Sequence, residues 1–71
     1  MNKTRIKIEI KDNYDNNYNK VIYLYIDDDD YKILKNYEME DYDRVWDNLC
    51  DMIEENYEDL PSDWYIDRLK L

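Results

Sequence analysis

Residues 4–11 (Thr-Arg-Ile-Lys-Ile-Glu-Ile-Lys) alternate strictly, with Ile6, Ile8 and Ile10 on one side and Arg5, Lys7, Glu9 and Lys11 on the other. That period of two predicts a half-buried β-strand with one solvated face. Asp12 to Asn19 is rich in Asn and Asp, which tolerate turns, and predicts a loop. Residues 20–26 (Lys-Val-Ile-Tyr-Leu-Tyr-Ile) are β-branched and aromatic, a second strand with apolar groups on both faces. The two strands most simply form an antiparallel hairpin.

Asp27 to Asp30 ends the second strand, and Tyr31 to Tyr37 fits two elements. As a helix it has aspartates at its N-terminus and Lys32 and Lys35 toward its end, which suits the macrodipole. As a third strand it would place Ile33 and Leu34 on opposite faces. The charge placement favours the helix. From about Glu40 to Glu58, Tyr42, Val45, Trp46, Leu49, Met52, Ile53 and Leu60 follow the stripe of an amphipathic helix. Pro61 ends it, because a residue before proline disfavours helix. Ser62 and Asp63 could cap a last short helix through Trp64, Tyr65, Ile66 and Leu69, or the same residues could pair as an edge strand. The pattern therefore predicts an α+β fold: an N-terminal hairpin, with room for a third strand, against one long helix and a short C-terminal element.

A 71-residue chain reads as a single domain, and a chain this short buries only about 60% of its unfolded surface. Cys50 is the sole cysteine, so no disulfide within the chain can help, and a reducing cytoplasm is the expected setting. Large aromatics supply area instead: nine Tyr and two Trp, with no Phe. This is more tyrosine than so small a core can hide, so some rings are expected at the surface as contact anchors. Met1 to Arg5 lead into the alternating strand and not an apolar run, so no secretory leader is expected.

Candidate chemistry is quickly narrowed. Without histidine, Ser-His-Asp and Cys-His arrangements and Cys/His zinc sites cannot be written. Without glycine there is no phosphate-cradling loop of the usual kinds. Asp27 to Asp30 offers oxygen ligands, yet it lacks the spacing and glycine of a calcium-binding loop. Cys50 falls at the edge of the helical stripe with no cation beside it, and reads as a structural thiol. No enzyme, cofactor or metal site is expected.

Net charge is −9, from 19 acidic and 10 basic residues. Residues 1–35 carry seven of each sign; residues 36–71 carry three basic and twelve acidic side chains, and so the whole excess. That balance predicts repulsion from DNA, RNA and anionic membranes, so no direct nucleic-acid or membrane partner is expected. On a helix, Glu40, Asp43, Asp47, Asp51, Glu54 and Glu58 fall within about 40° either side of one line, opposite the apolar stripe. Charges four residues apart stand about 6 Å from one another. That is close to the roughly 6–7 Å between phosphates of a nucleic-acid strand. Like charges so placed repel, and only Arg44 flanks them. The ridge, together with Asp27, Asp28, Asp29 and Asp30, is the candidate surface for a basic partner protein.

In size, net charge, an Asp-, Glu- and Tyr-rich second half and the absence of catalytic residues, the chain resembles the small acidic phage-encoded inhibitors that mimic DNA, anti-CRISPR and anti-restriction proteins among them. That resemblance implies an inhibitor that occupies a DNA- or guide-binding surface of a CRISPR effector. Two other classes fit the same composition. An immunity protein or antitoxin would neutralise a basic nuclease, and would be needed beside a toxin gene. A small assembly subunit would use an apolar sheet face to form a homo-oligomer.

Overall fold

A computed structural model describes residues 2–71. The chain runs β1 (Lys3–Asp12), β2 (Asn19–Asp27), α1 (Asp28–Leu34), α2 (Tyr42–Asn56) and β3 (Trp64–Lys70). The strands form one antiparallel sheet in the order β2-β1-β3, so the most regular strand of the sequence is the central one. Register in the hairpin sets Ile6 opposite Leu24 and Ile8 opposite Ile22. Because strand side chains alternate between faces, these pairs and Ile10 and Ile26 share one side. Both helices cover that side.

The core is aliphatic. Ile6, Ile8, Ile10, Ile22, Leu24 and Ile26 from the hairpin meet Leu34 of α1 and Val45, Leu49 and Ile53 of α2, all buried. Val45, Leu49 and Ile53 stand at i, i+4, i+8, one stripe along α2. Trp46, Met52 and Tyr42 flank it half-buried, and the Tyr42 and Trp46 rings stack with centroids 6.0 Å apart. Each aliphatic side chain moved out of water contributes about 1.5–3 kcal/mol.

The hairpin and the long helix appear as the pattern predicts, with shifted ends. Tyr31–Tyr37 is no third strand: α1 begins earlier, at Asp28, and stops at Leu34. Asp27 sits at its N-cap position but makes no side-chain cap bond; Asp28, Asp29 and Asp30 fill the first turn, where the helix dipole favours carboxylates. The long helix is shorter than 40–58, running only 42–56, because Tyr57 turns to an extended conformation (φ −134°, ψ 103°). Leu60 therefore packs on the core from beyond the helix.

Residues 64–70 are the edge strand and not a helix. A register shift between Glu9 and Ile10 lets Arg68 face Glu9 and Ile66 face Ile10, leaving Asp67 as the extra residue of a bulge. The bulge lets Ile66 and Leu69 both reach the core although three positions separate them.

Ile8 lies on the central strand and is wholly buried. Ile8→Ala is expected to lower unfolding stability by about 3–4 kcal/mol in urea titration, because a cavity at the centre of a sheet cannot collapse from both sides. A loss below about 1 kcal/mol would show that this packing does not hold the sheet.

Candidate functional site

Carboxylates are the commonest side chains on the exposed positions of α2, while α1 exposes Asp29 and Lys32. Asp43, Asp47, Asp51 and Glu54 are exposed on α2, on the side away from Val45, Leu49 and Ile53. They extend over about 17 Å of helix axis. Glu40 and Glu58 are exposed too, but lie in the turns before and after α2, not on its helical line. The expected ridge of six is thus four helical carboxylates with one flanking residue in the turn at each end.

Asp27 to Asp30 line a recess together with Asn2, Lys32, Ile33 and Arg44. The recess brings the α1 cluster beside the first turn of α2, which residue spacing could not show. Asp28 is fixed there: its carboxylate accepts a bond from the Thr4 hydroxyl at 2.6 Å, and its N–H donates to the Asn2 carbonyl at 3.2 Å. Lys32 and Arg44 bring positive charge to the same recess, and the Arg44 guanidinium also pairs with Asp41 at 3.4 Å.

Among the described residues, none of the ten predicted carboxylates takes part in an ion pair; the pairs present join Lys11 to Asp67, Lys20 to Asp59, Arg44 to Asp41 and Arg68 to Glu9. Nor are any three of these acidic or thiol groups arranged to hold a metal ion, again among the described residues. The acidic face is also poorly matched to its own helix. The last turn of α2 has no basic residue, while Glu54 and Glu55 sit near its negative end. Repulsion at i, i+4 between Asp43, Asp47 and Asp51 costs a few tenths of a kcal/mol per pair.

Cys50 senses this field. Half-buried beside Trp46, its thiol is pushed above the ordinary value first by burial and then by Asp47, Glu54 and Asp51. Away from the ridge, Lys20 is raised and Asp59 lowered by their shared 3.0 Å hydrogen bond, and the same ammonium lies 5.0 Å from the Tyr57 ring centroid.

Five tyrosines are exposed, as the composition demands: Tyr14, Tyr23, Tyr25, Tyr37 and Tyr65. Tyr37 lies in the turn between the helices, and Tyr14 in the loop between β1 and β2. Tyr23, Tyr25 and Tyr65 stand on the outer face of the sheet, with Arg5, Lys7 and Lys11 opposite them in register. Alternation in residues 4–11 identifies that face as solvated. What it carries emerges only once β2 and β3 are placed beside β1.

Comparison of the chain with known protein families, characterised proteins and solved structures finds no match in any of the three. Among the described residues, no helix is long and apolar enough to cross a membrane.

Cys50 serves as a built-in probe of the ridge. The pH dependence of its alkylation by iodoacetamide is expected to give a thiol pKa above the usual value of about 8.5. Asp47→Asn with Asp51→Asn, or 0.5 M salt, should lower that pKa, since each weakens the carboxylate field. A pKa unmoved by either change would show that the carboxylates do not act together.

Proposed function

We propose that this protein is an inhibitor that occupies the basic, nucleic-acid-binding groove of an enzyme with the outer face of its helices, a CRISPR effector being the target the resemblance implies. Supporting this is one observation above all: Asp43, Asp47, Asp51 and Glu54 form a row of carboxylates that no basic side chain of the described residues pairs with. A face needed only for solubility works with both signs interspersed. Here the acids are concentrated at a cost to α2, and the α1 cluster adjoins them through the recess at Arg44.

The mechanism requires no bond to be made or broken. Long-range attraction between the carboxylates and the Lys and Arg of a phosphate-binding groove speeds encounter and selects the partner. Once docked, the chain excludes the nucleic acid by occupying its site. Tyr37 and Met39, both exposed at the α1–α2 turn, add contact area at the margin that charge alone does not supply.

The test begins with capture of tagged chain from a lysate containing CRISPR effectors, followed by competition with DNA at two salt concentrations. Wild-type protein is expected to displace DNA, less strongly at higher salt. Asp47→Lys with Asp51→Lys is expected to abolish displacement while circular dichroism stays unchanged, because both residues point into solvent. Displacement that survives the double reversal would refute the acidic face as the contact. Capture of a small toxin in place of an effector would favour the antidote reading.

A further inference from the structure

The outer face of the sheet carries a charge opposite to that of the helices. Register places Lys3, Arg5, Lys7, Glu9 and Lys11 of β1 on it, with Val21, Tyr23, Tyr25 and Asp27 of β2 and Tyr65, Arg68 and Lys70 of β3; Asp67 joins them through its contact with Lys11. Six of the ten basic side chains are there but only three of the nineteen acidic ones, a net of +3, which leaves −12 for the remainder. The smallest extent of the molecule is 18 Å. That is about twice the ~8 Å Debye length at physiological salt, so exposed charges on opposite faces are largely screened from one another. The repulsion expected from net charge is therefore not the local field here.

The arrangement within the face is regular. Each tyrosine has a cation of the central strand directly across from it: Tyr25 faces Arg5, Tyr23 faces Lys7 and Tyr65 faces Lys11. The three rings are 61%, 47% and 39% exposed, so each offers a surface to a ligand. Along β2 the two rings are separated by about 6.8 Å, two strand residues. The Arg5 guanidinium lies 4.6 Å from the Tyr23 ring centroid, which holds that ring in place.

A second, independent feature points to an anion. Lys7 and Lys70 are paired directly across β1 and β3, and neither has an ion-pair partner among the described residues. Like charges opposite one another destabilise a sheet. A phosphate between them would relieve that repulsion.

We infer that this face binds single-stranded nucleic acid, with bases stacked on Tyr23, Tyr25 and Tyr65 and phosphates held by Arg5, Lys7, Lys11 and Lys70. Aromatic rings alternating with cations on an open antiparallel sheet suit unpaired strands, because every base offers a π-face whatever its sequence. A duplex hides its bases and cannot use the rings. A second copy of this face is disfavoured, since both would be positive. The inference does not rest on the helical ridge, which lies on the other layer, and either can fail alone.

The test is fluorescence anisotropy of labelled 12-nucleotide RNA and DNA single strands of mixed sequence, titrated with the full chain at 50 and 200 mM salt. Single strands are expected to bind more tightly than a duplex of equal length, and less tightly as salt rises. Tyr25→Ala should weaken binding about tenfold, within the range for losing one stacked base. Tyr25→Phe, which keeps the ring, should bind as wild type. Lys7→Gln with Lys70→Gln should reduce the slope of log K against log salt by about 1.4, two phosphate contacts on a single strand. Asp47→Lys with Asp51→Lys should leave binding intact. Absence of binding at 50 mM salt would overturn the inference. So would Tyr25→Ala binding unchanged while polyglutamate displaces the strand equally well, a result that would assign the face to an acidic protein segment.

Discussion

Burial of one face of β1 fixes where every other element can go. Ile6, Ile8 and Ile10 are inaccessible to solvent in practice, at 1% exposure or less. Ile6 and Ile8 pair in register with Leu24 and Ile22 of β2, and Ile8 and Ile10 with Leu69 and Ile66 of β3. A shift of one residue would exchange those isoleucines for Arg5, Lys7, Glu9 and Lys11, so the register is strongly determined. The helices then have a single apolar surface to cover, and they cover it with Leu34, Val45, Leu49 and Ile53.

From that constraint the charge distribution follows. The side of β1 turned away from the isoleucines carries four of the residues that make the sheet's outer face basic, while each helix turns its carboxylates out from the opposite layer. A short chain with one core thus presents two surfaces of opposite sign. The acidic one is the larger in charge and the less compensated within the molecule. It is the one on which the inhibitor reading depends.

Much of this was legible in the residues. The strict alternation of 4–11 and the i, i+4, i+8 stripe of α2 are each carried by one continuous segment, and both elements are found where the spacing sets them. The outward position of Asp43, Asp47, Asp51 and Glu54 follows from the same stripe. Glu40 and Glu58 share the spacing of the ridge but lie outside Tyr42–Asn56, because helical spacing in the sequence extends past the residues that adopt it. Nothing in the pattern marks Tyr57 as the point where the helix ends. The C-terminal strand was ambiguous for a physical reason: the bulge at Asp67 breaks the period of two, so Ile66 and Leu69 stand three apart as they would on a helix. The tyrosine–cation pairs were illegible, since Lys11 opposite Tyr65 joins residues far apart in the chain. The recess that brings Asp27 to Asp30 up to Arg44 is likewise a product of α1 packing on α2.

The central claim is that the helical layer is the surface that meets a basic enzyme. Its most direct test is an amide line-broadening map of the isotope-labelled chain titrated with the captured nucleic-acid-binding enzyme. The account predicts that signals of residues 28–30 and of the outward positions of α2, Asp43, Asp47, Asp51 and Glu54, are lost first, while Val21, Tyr23 and Tyr25 on the outer face of β2 keep theirs. Broadening confined to the outer face of the sheet, with both helices unaffected, would contradict it.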